Sequence, residues 1–249
     1  MLRVLFLLSF FCCFSTQANT DKRIVNICFE RWWSYSFTND SGFAAGIEVE
    51  IIRHALRGSG FRATFHELPY RRCLAGVRQR VFDFTLYVDS SDGLPIVDVS
   101  FTTWKLALAV KQGRFTNYAE LLNLPAPKVM ISDEYTYPDA VNQRLGAINA
   151  AIVKRSYYEQ NHADGRRFFS VLQSNRVDAV LVDKIWAMEI IRHHKLPVYL
   201  LPQAFHFEQQ YMGYHKENQA LATQVETLLK QVSKETVKRL EIKYLGSTP

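Results

Sequence analysis

The stretch Asn175-Arg-Val-Asp-Ala-Val-Leu-Val-Asp183 decides how this chain is read. Ala179 to Val182 form an apolar run of strand length, preceded by a helix end and a turn. Asp183 stands where that strand stops. In open α/β sheets, ligands gather outside the carboxyl ends of strands, and an acid there can meet a cationic group. The first half carries a related phrase, Arg78-Gln-Arg-Val-Phe-Asp-Phe-Thr-Leu-Tyr-Val-Asp89. It too has a helix-like segment, a Val-Phe-Asp, a strand-like run and an Asp. Two such phrases predict two similar α/β lobes, each built to present a strand end.

Outward from these phrases the order is β-α-β-α-β. Ile24 to Phe29 reads as a strand apolar on both faces, as parallel sheets require. The aromatic loop Arg31-Trp-Trp-Ser-Tyr-Ser-Phe37 and the turn Asn39-Asp-Ser-Gly42 follow. After Gly46, the residues Ile47, Ile51, Ile52, Ala55 and Leu56 make the apolar stripe of a helix. Arg62 to Leu68 is a second strand, Pro69 opens a second helix, and Val81 to Tyr87 is the third strand. That alternation argues a doubly wound sheet. Leu106 to Lys111 is a further strand, and the pattern changes from Gln112 onward, where a second lobe begins. Ile185 to His193 reads as a helix, Val198 to Leu201 as a strand, and Glu208 to Tyr214 as the return to the first lobe. Leu221, Val225, Leu228, Leu229 and Val232 mark the last long helix.

Met1-Leu-Arg3 followed by the apolar run Val4 to Phe14 has the form of a secretion signal and is short for a membrane span. Thr16-Gln17-Ala18 places small residues where a signal peptidase reads, so cleavage is expected after Ala18. An N-terminal anchor fits less well because polar residues begin at Ser15. Cleavage removes one Arg and lowers the formal charge from +6 to +5. The remaining 231 residues can bury one large core or two smaller ones. The basic excess is spread along the chain, whereas nucleic-acid binding calls for a clustered patch. Cys28 and Cys73 survive cleavage, and in an exported chain an isolated pair invites a disulfide, two buried thiols being the alternative. No Cys-x-x-Cys, His-Glu-x-x-His, phosphate loop or Gly-x-Ser-x-Gly is present. Neither a metal, a cofactor nor a catalytic group is therefore assigned.

Taken together, these phrases resemble the bacterial extracellular solute-binding proteins of the amino-acid type, family 3. The resemblance runs through Gly46-Ile-Glu-Val-Glu50, Val81-Phe-Asp83, Val97-Asp-Val-Ser100, Arg176-Val-Asp-Ala179 with Asp183, and Met212-Gly-Tyr-His-Lys216. It implies a two-lobed, type II periplasmic-binding fold. Each lobe would be a doubly wound, mostly parallel sheet, and two segments would form the hinge. Residues 22–108 with 208–249 would make lobe 1, and 109–207 lobe 2. It implies a monomer in the periplasm that closes on a small polar solute, amino acid-like or an amine. The partner would be the permease of an ABC importer or the periplasmic domain of a membrane sensor.

The resemblance also assigns roles. Asp183 matches the residue that receives the ligand ammonium; as a plain Asp before a helix it would be an N-cap. Trp32 falls where the family stacks an aromatic on the ligand, and Tyr70 where a side chain faces the cleft. Tyr87 and Asp89 end the third strand and line the same cleft, Asp89 having a turn role as its alternative. One departure stands out. After the third strand the family has an Arg that clamps the ligand carboxylate, whereas this chain reads Tyr87-Val-Asp-Ser-Ser-Asp92. Arg71 or Arg72 could supply a clamp from another direction, though neighbours on a helix cannot both face the cleft. Trp104 reads as core packing, and Asp83 and Asp178 as residues that fix the turns before their strands. Two other functions compete: an enzyme on the same cleft, as in periplasmic cyclohexadienyl dehydratase, and a lobe pair that only contacts other proteins.

Overall fold

The computed structural model describes residues 22–156 and 162–246. The expected signal segment, 1–18, lies outside the described residues. The elements run β1 (Arg23–Phe29), β2 (Phe37–Thr38), β3 (Ala44–Ala45), α1 (Ile47–Leu56), β4 (Phe61–Glu67), α2 (Tyr70–Arg78) and β5 (Phe84–Val88). They continue with β6 (Thr102–Lys111), α3 (Tyr118–Leu122), β7 (Lys128–Ser132), α4 (Asp139–Ala147), β8 (Ala151–Arg155), α5 (His162–Gln173) and β9 (Ala179–Asp183). The chain then forms α6 (Lys184–His194), β10 (Val198–Leu200), β11 (His206–Tyr214), α7 (Gln219–Leu229) and α8 (Lys234–Leu245).

The strands lie in the order β4-β1-β5-β11-β6-β9-β7-β8, with β10 added against β6. Pairing is parallel in the outer parts, β4-β1-β5 and β9-β7-β8. The two central strands, β6 and β11, run antiparallel to their neighbours. Both are shared: β11 pairs with β6 through His206–Gln210 and with β5 through Tyr211–Tyr214. These two long strands are the two hinge segments, longer than the sequence pattern indicates because their polar outer turns break the apolar run.

Each lobe has its own core. In the first, Val25, Ile27 and Phe29 of β1 meet Ile47, Ile51 and Ile52 of α1, all 1 % exposed or less. Burying each such side chain stabilises the fold by roughly 1.5–3 kcal/mol. In the second lobe the sheet is covered on both faces. Leu108, Val110 and Leu181 pack on one side, and Phe169, Val180 and Ile190 on the other.

The two phrases that open the sequence reading build the same clip in each lobe. Before β5, Asp83 donates its N–H to the Asn26 carbonyl at 2.9 Å and accepts the Asn26 N–H on Oδ2 at 2.8 Å. Before β9, Asp178 donates to the Lys128 carbonyl at 2.8 Å and accepts the Lys128 N–H on Oδ2 at 2.7 Å. The clips tie β5 to its parallel neighbour β1 and β9 to its parallel neighbour β7. Cys28 in β1 is joined by a disulfide to Cys73 in α2, with Cα atoms 5.3 Å apart. That bond pins the start of α2, and with it Tyr70, over the end of β1.

Candidate functional site

The carboxyl ends of β1, β5, β7 and β9 converge on one cleft between the lobes, floored by the hinge strands. It holds about 870 Å³ of empty space, its open mouth included.

The first-lobe wall begins in the aromatic loop after β1. Trp32 and Ser36 exchange backbone hydrogen bonds of 2.8 and 2.9 Å, which tightens the loop. The loop then rests on the start of α1, where Ile47 N–H donates to Ser34 O at 2.9 Å and Glu48 N–H to Tyr35 O at 3.0 Å. Gly46 permits this approach: its φ is +116°, and a Cβ there would stand 2.4 Å from Tyr35 O. Trp32 is thereby held between Tyr35 and Tyr87, with ring centroids 4.7 Å from each. Tyr87 has φ 66°, a left-handed backbone inside a strand. Such a conformation costs on the order of 1–2 kcal/mol for a non-glycine residue, and it is found here in a residue of the cleft wall. Its hydroxyl donates to Ser36 Oγ at 2.6 Å. From α2, Tyr70 donates its hydroxyl to Asp92 Oδ2 at 2.5 Å.

Asp183 ends β9 on the opposite wall. Its Oδ1 accepts the Trp186 N–H at 2.7 Å, capping α6. The same oxygen faces the indole N–H of Trp32 across the cleft at 3.3 Å. Its Oδ2 is buried without a hydrogen-bond partner. The loop after β7 adds Tyr135 and Tyr137, and β6 adds Trp104, stacked on Tyr137 at 5.5 Å and edge-on to Tyr135 at 5.8 Å. Gln210 of β11 lines the floor, 5 % exposed, and its Nε2 also has no partner.

The wall is acidic: Glu30, Asp89 and Asp183 face one guanidinium, Arg31. Arg31 is itself tied, its Nε donating to Glu67 Oε1 at 2.9 Å and its Nη2 to the Thr38 carbonyl at 3.0 Å. Burial pushes the Asp183 carboxyl up to about 6, against hydrogen bonding from Trp186 and Trp32 and, less strongly, from the Lys105 and Ile185 backbone, all of which favour its charged form. Burial likewise raises Asp92, opposed by the Tyr70 hydroxyl. A buried carboxylate oxygen left unpaired costs on the order of 1–3 kcal/mol.

Of the residues singled out in the sequence, Asp183, Trp32, Tyr70, Tyr87 and Asp89 stand in the cleft wall. Arg71 and Arg72 do not. Both are exposed, because they fall on the solvent side of α2, whose buried face is Tyr70, Cys73, Leu74 and Val77. Arg71 instead reaches the Asp133 carbonyl and stands 3.9 Å from Glu134 on the other lobe. Asp89 holds its turn while lining the cleft: Oδ1 accepts the Ser91 N–H at 2.8 Å, and Asp92 Oδ2 returns a bond to the Asp89 N–H at 3.0 Å. Trp104, read as core, faces the cleft as well as packing. Glu30, Arg31, Trp186 and Gln210 were missed. Glu30 and Arg31 had a signal, since they directly follow a strand end. Gln210 had none, because its position depends on β11 pairing with a strand a hundred residues away. Among the described residues, no group of three or more His, Cys, Asp or Glu is placed to hold a metal ion.

No family model matches the chain. It is 21 % identical over 218 residues to the L-cystine-binding protein TcyJ of Escherichia coli (strain K12), covering 86 % of this chain and 79 % of that one. Among solved structures, Tv2483 bound to L-arginine superposes with a TM-score of 0.72 at 16 % identity, over 90 % of this chain and 91 % of the other. A putative L-cystine ABC transporter protein from Listeria monocytogenes gives 0.70 at 16 % identity, over 90 % and 97 %. A histidine kinase sensor domain similar to periplasmic binding proteins gives 0.70 at 15 % identity, over 91 % and 97 %. In fold, the chain matches the two-lobed, type II periplasmic-binding architecture. The shared central strands and the interlobe cleft are features of that fold, and the curated relative in Escherichia coli is a binding protein. No helix among the described residues is long and apolar enough to cross a membrane.

Proposed function

We propose that this protein is a periplasmic solute-binding protein, monomeric, that closes its cleft on a small polar solute, amino acid-like or an amine, and hands it to a membrane partner. The observation that carries the reading is Asp183. It is an acid at a strand end, with one oxygen occupied by the α6 cap and by Trp32 of the other lobe, and the second oxygen buried and unpaired. A solute that satisfies that oxygen while touching both walls stabilises the closed arrangement in proportion to its preference for it. We take 22–108 with 208–249 as one lobe and 109–207 as the other, moving about β6 and β11. Asp183, Trp32, Tyr70, Tyr87 and Asp89 are the proposed ligand contacts.

Delivery to the permease of an ABC importer is supported by the named relatives, and the sensor-domain neighbour supports a membrane sensor as the alternative partner. Turnover in the cleft has no comparable support. The test is a thermal-shift screen of protein unfolded and refolded to strip carried-over ligand, with amino acids, amines, organic acids and small peptides. A true ligand at 100 times its Kd adds about 2.7 kcal/mol, and it should be recovered unchanged. Chemical conversion of the bound solute would refute a pure binding role.

A further inference from the structure

We propose that the solute this cleft takes is an organic cation with no carboxylate of its own, an amine or guanidine whose remaining polar atoms are neutral. This rests on the solute-binding reading above and narrows it to a ligand class.

Charge is the first argument. Three carboxylates line the cleft against one guanidinium, and that guanidinium already donates to Glu67 and to the Thr38 carbonyl. The Arg31–Glu67 pair is close to neutral as a unit, so the described lining side chains, with Asp89 and Asp183 among them, carry an excess of negative charge. A ligand carboxylate entering it would meet like charges in a partly desolvated space, where they are poorly screened.

The two unpaired buried atoms give the second argument. Asp183 Oδ2 can only accept, so its partner must be a donor. Gln210, which lines the cleft floor, carries a side-chain amide, 5 % exposed, whose nitrogen is buried and unpaired. An amide takes a neutral oxygen such as a hydroxyl or carbonyl. It supplies no positive charge to offset a carboxylate.

The walls give the third. Trp32 meets Tyr87 at an interplanar angle of 78°, and Trp104 meets Tyr135 at 70°. All four rings line the cleft, and aromatic faces attract cations, more strongly when these are desolvated. Acid and rings thus select the same charge.

The test uses pairs that differ by the carboxylate: ethanolamine with glycine, putrescine with L-ornithine, and agmatine with L-arginine. Each is titrated by calorimetry into the refolded mature protein. At least one amine should bind ten-fold or more tighter than its amino-acid partner. Its affinity should fall at least thirty-fold in Asp183→Asn, which retains an N-cap side chain for α6, with circular dichroism confirming the fold. Arg72→Gln, on the solvent side of α2 and outside the cleft wall, should leave amine affinity within three-fold. Amino acids binding as tightly as their amines would overturn the proposal and leave the solute-binding reading standing. So would amine affinity untouched by Asp183→Asn. If none of the six probes binds, the cation class is wrong; the broad screen then decides separately whether the protein binds solutes at all.

Discussion

The two acid-ended phrases start alike and finish differently. Asp83 and Asp178 make the same clip to a neighbouring strand, each through one backbone and one carboxylate hydrogen bond. Six and five residues on, Asp89 and Asp183 both reach the cleft. Asp89 is bound up in its own turn by Ser91 and Asp92. Asp183 spends one oxygen on α6 and Trp32 and keeps the other unpaired. One sequence pattern therefore yields an acid tied into its own turn in the first lobe and an acid with one oxygen unpaired in the second. The strand end supplies the position, and the surroundings decide the use.

The largest expected effect sharpens the contrast between the lobes. Only the first carries a staple among the described residues, Cys28–Cys73, spanning 45 residues of chain. Chain-entropy reasoning puts its contribution at about 4 kcal/mol. Cys28→Ser with Cys73→Ser should lower the urea midpoint accordingly, and a first-lobe probe such as Trp32 fluorescence should then melt before the second lobe. Coincident melting of both lobes would show that the hinge strands weld them into one unit.

A second difference is Glu48, buried beneath the first-lobe wall and accepting the Thr102 hydroxyl. Burial pushes its carboxyl from 4.5 up to about 7, with the Thr102 hydrogen bond opposing. An acid with a raised folded value is fully tolerated below about 4.5 and costs stability as pH climbs through about 7. Glu48→Gln should match the wild type near pH 4 and exceed it by on the order of 2–3 kcal/mol above pH 8. A mutant advantage that does not grow with pH would mean the acid stays solvated.

The contrast between the two acids is tested in binding. Asp183→Asn should weaken the ligand found by screening by about 2 kcal/mol, a charged hydrogen bond, whereas Asp89→Asn should cost under 1 kcal/mol. Affinity of the wild type should also decline as pH falls through about 6, where Asp183 protonates. Equal losses in the two variants would break the comparison. The clips come next: Asp83→Ala and Asp178→Ala should each destabilise by about 1.5–3 kcal/mol and agree within 1 kcal/mol or so, read by chemical unfolding. Smallest is Arg71→Ala, which removes an exposed interlobe contact and should change affinity by less than about 1 kcal/mol.

Much of this architecture was legible in one sequence. The apolar stripe on α1, the runs of β1 and β9 and the Pro69 start of α2 are local patterns, and local patterns mark elements. The hinge was half legible. β6 and β11 extend beyond their apolar stretches through Thr102–Lys105 and His206–Glu208, where polar residues interrupt the apolar run although Thr, Trp and Phe favour strands. The site divided along the same line. Trp32, Tyr70, Tyr87, Asp89 and Asp183 sit at strand ends or a helix start, and so could be placed. Arg71 and Arg72 could not, because one step around a helix turns a side chain by about 100° from cleft to solvent.

The sequence by itself determined that two α/β lobes would each present an acid at a strand end, since apolar periodicity and turn residues act within a few positions of where they are read. Only the tertiary structure decided which acid stays available. Trp32 lies 151 positions from Asp183, and the burial that leaves Oδ2 unpaired comes from walls contributed by both lobes. Desolvation and hydrogen-bond satisfaction depend on everything within a few ångströms, and chain order does not encode that neighbourhood until the hinge strands bring the lobes together.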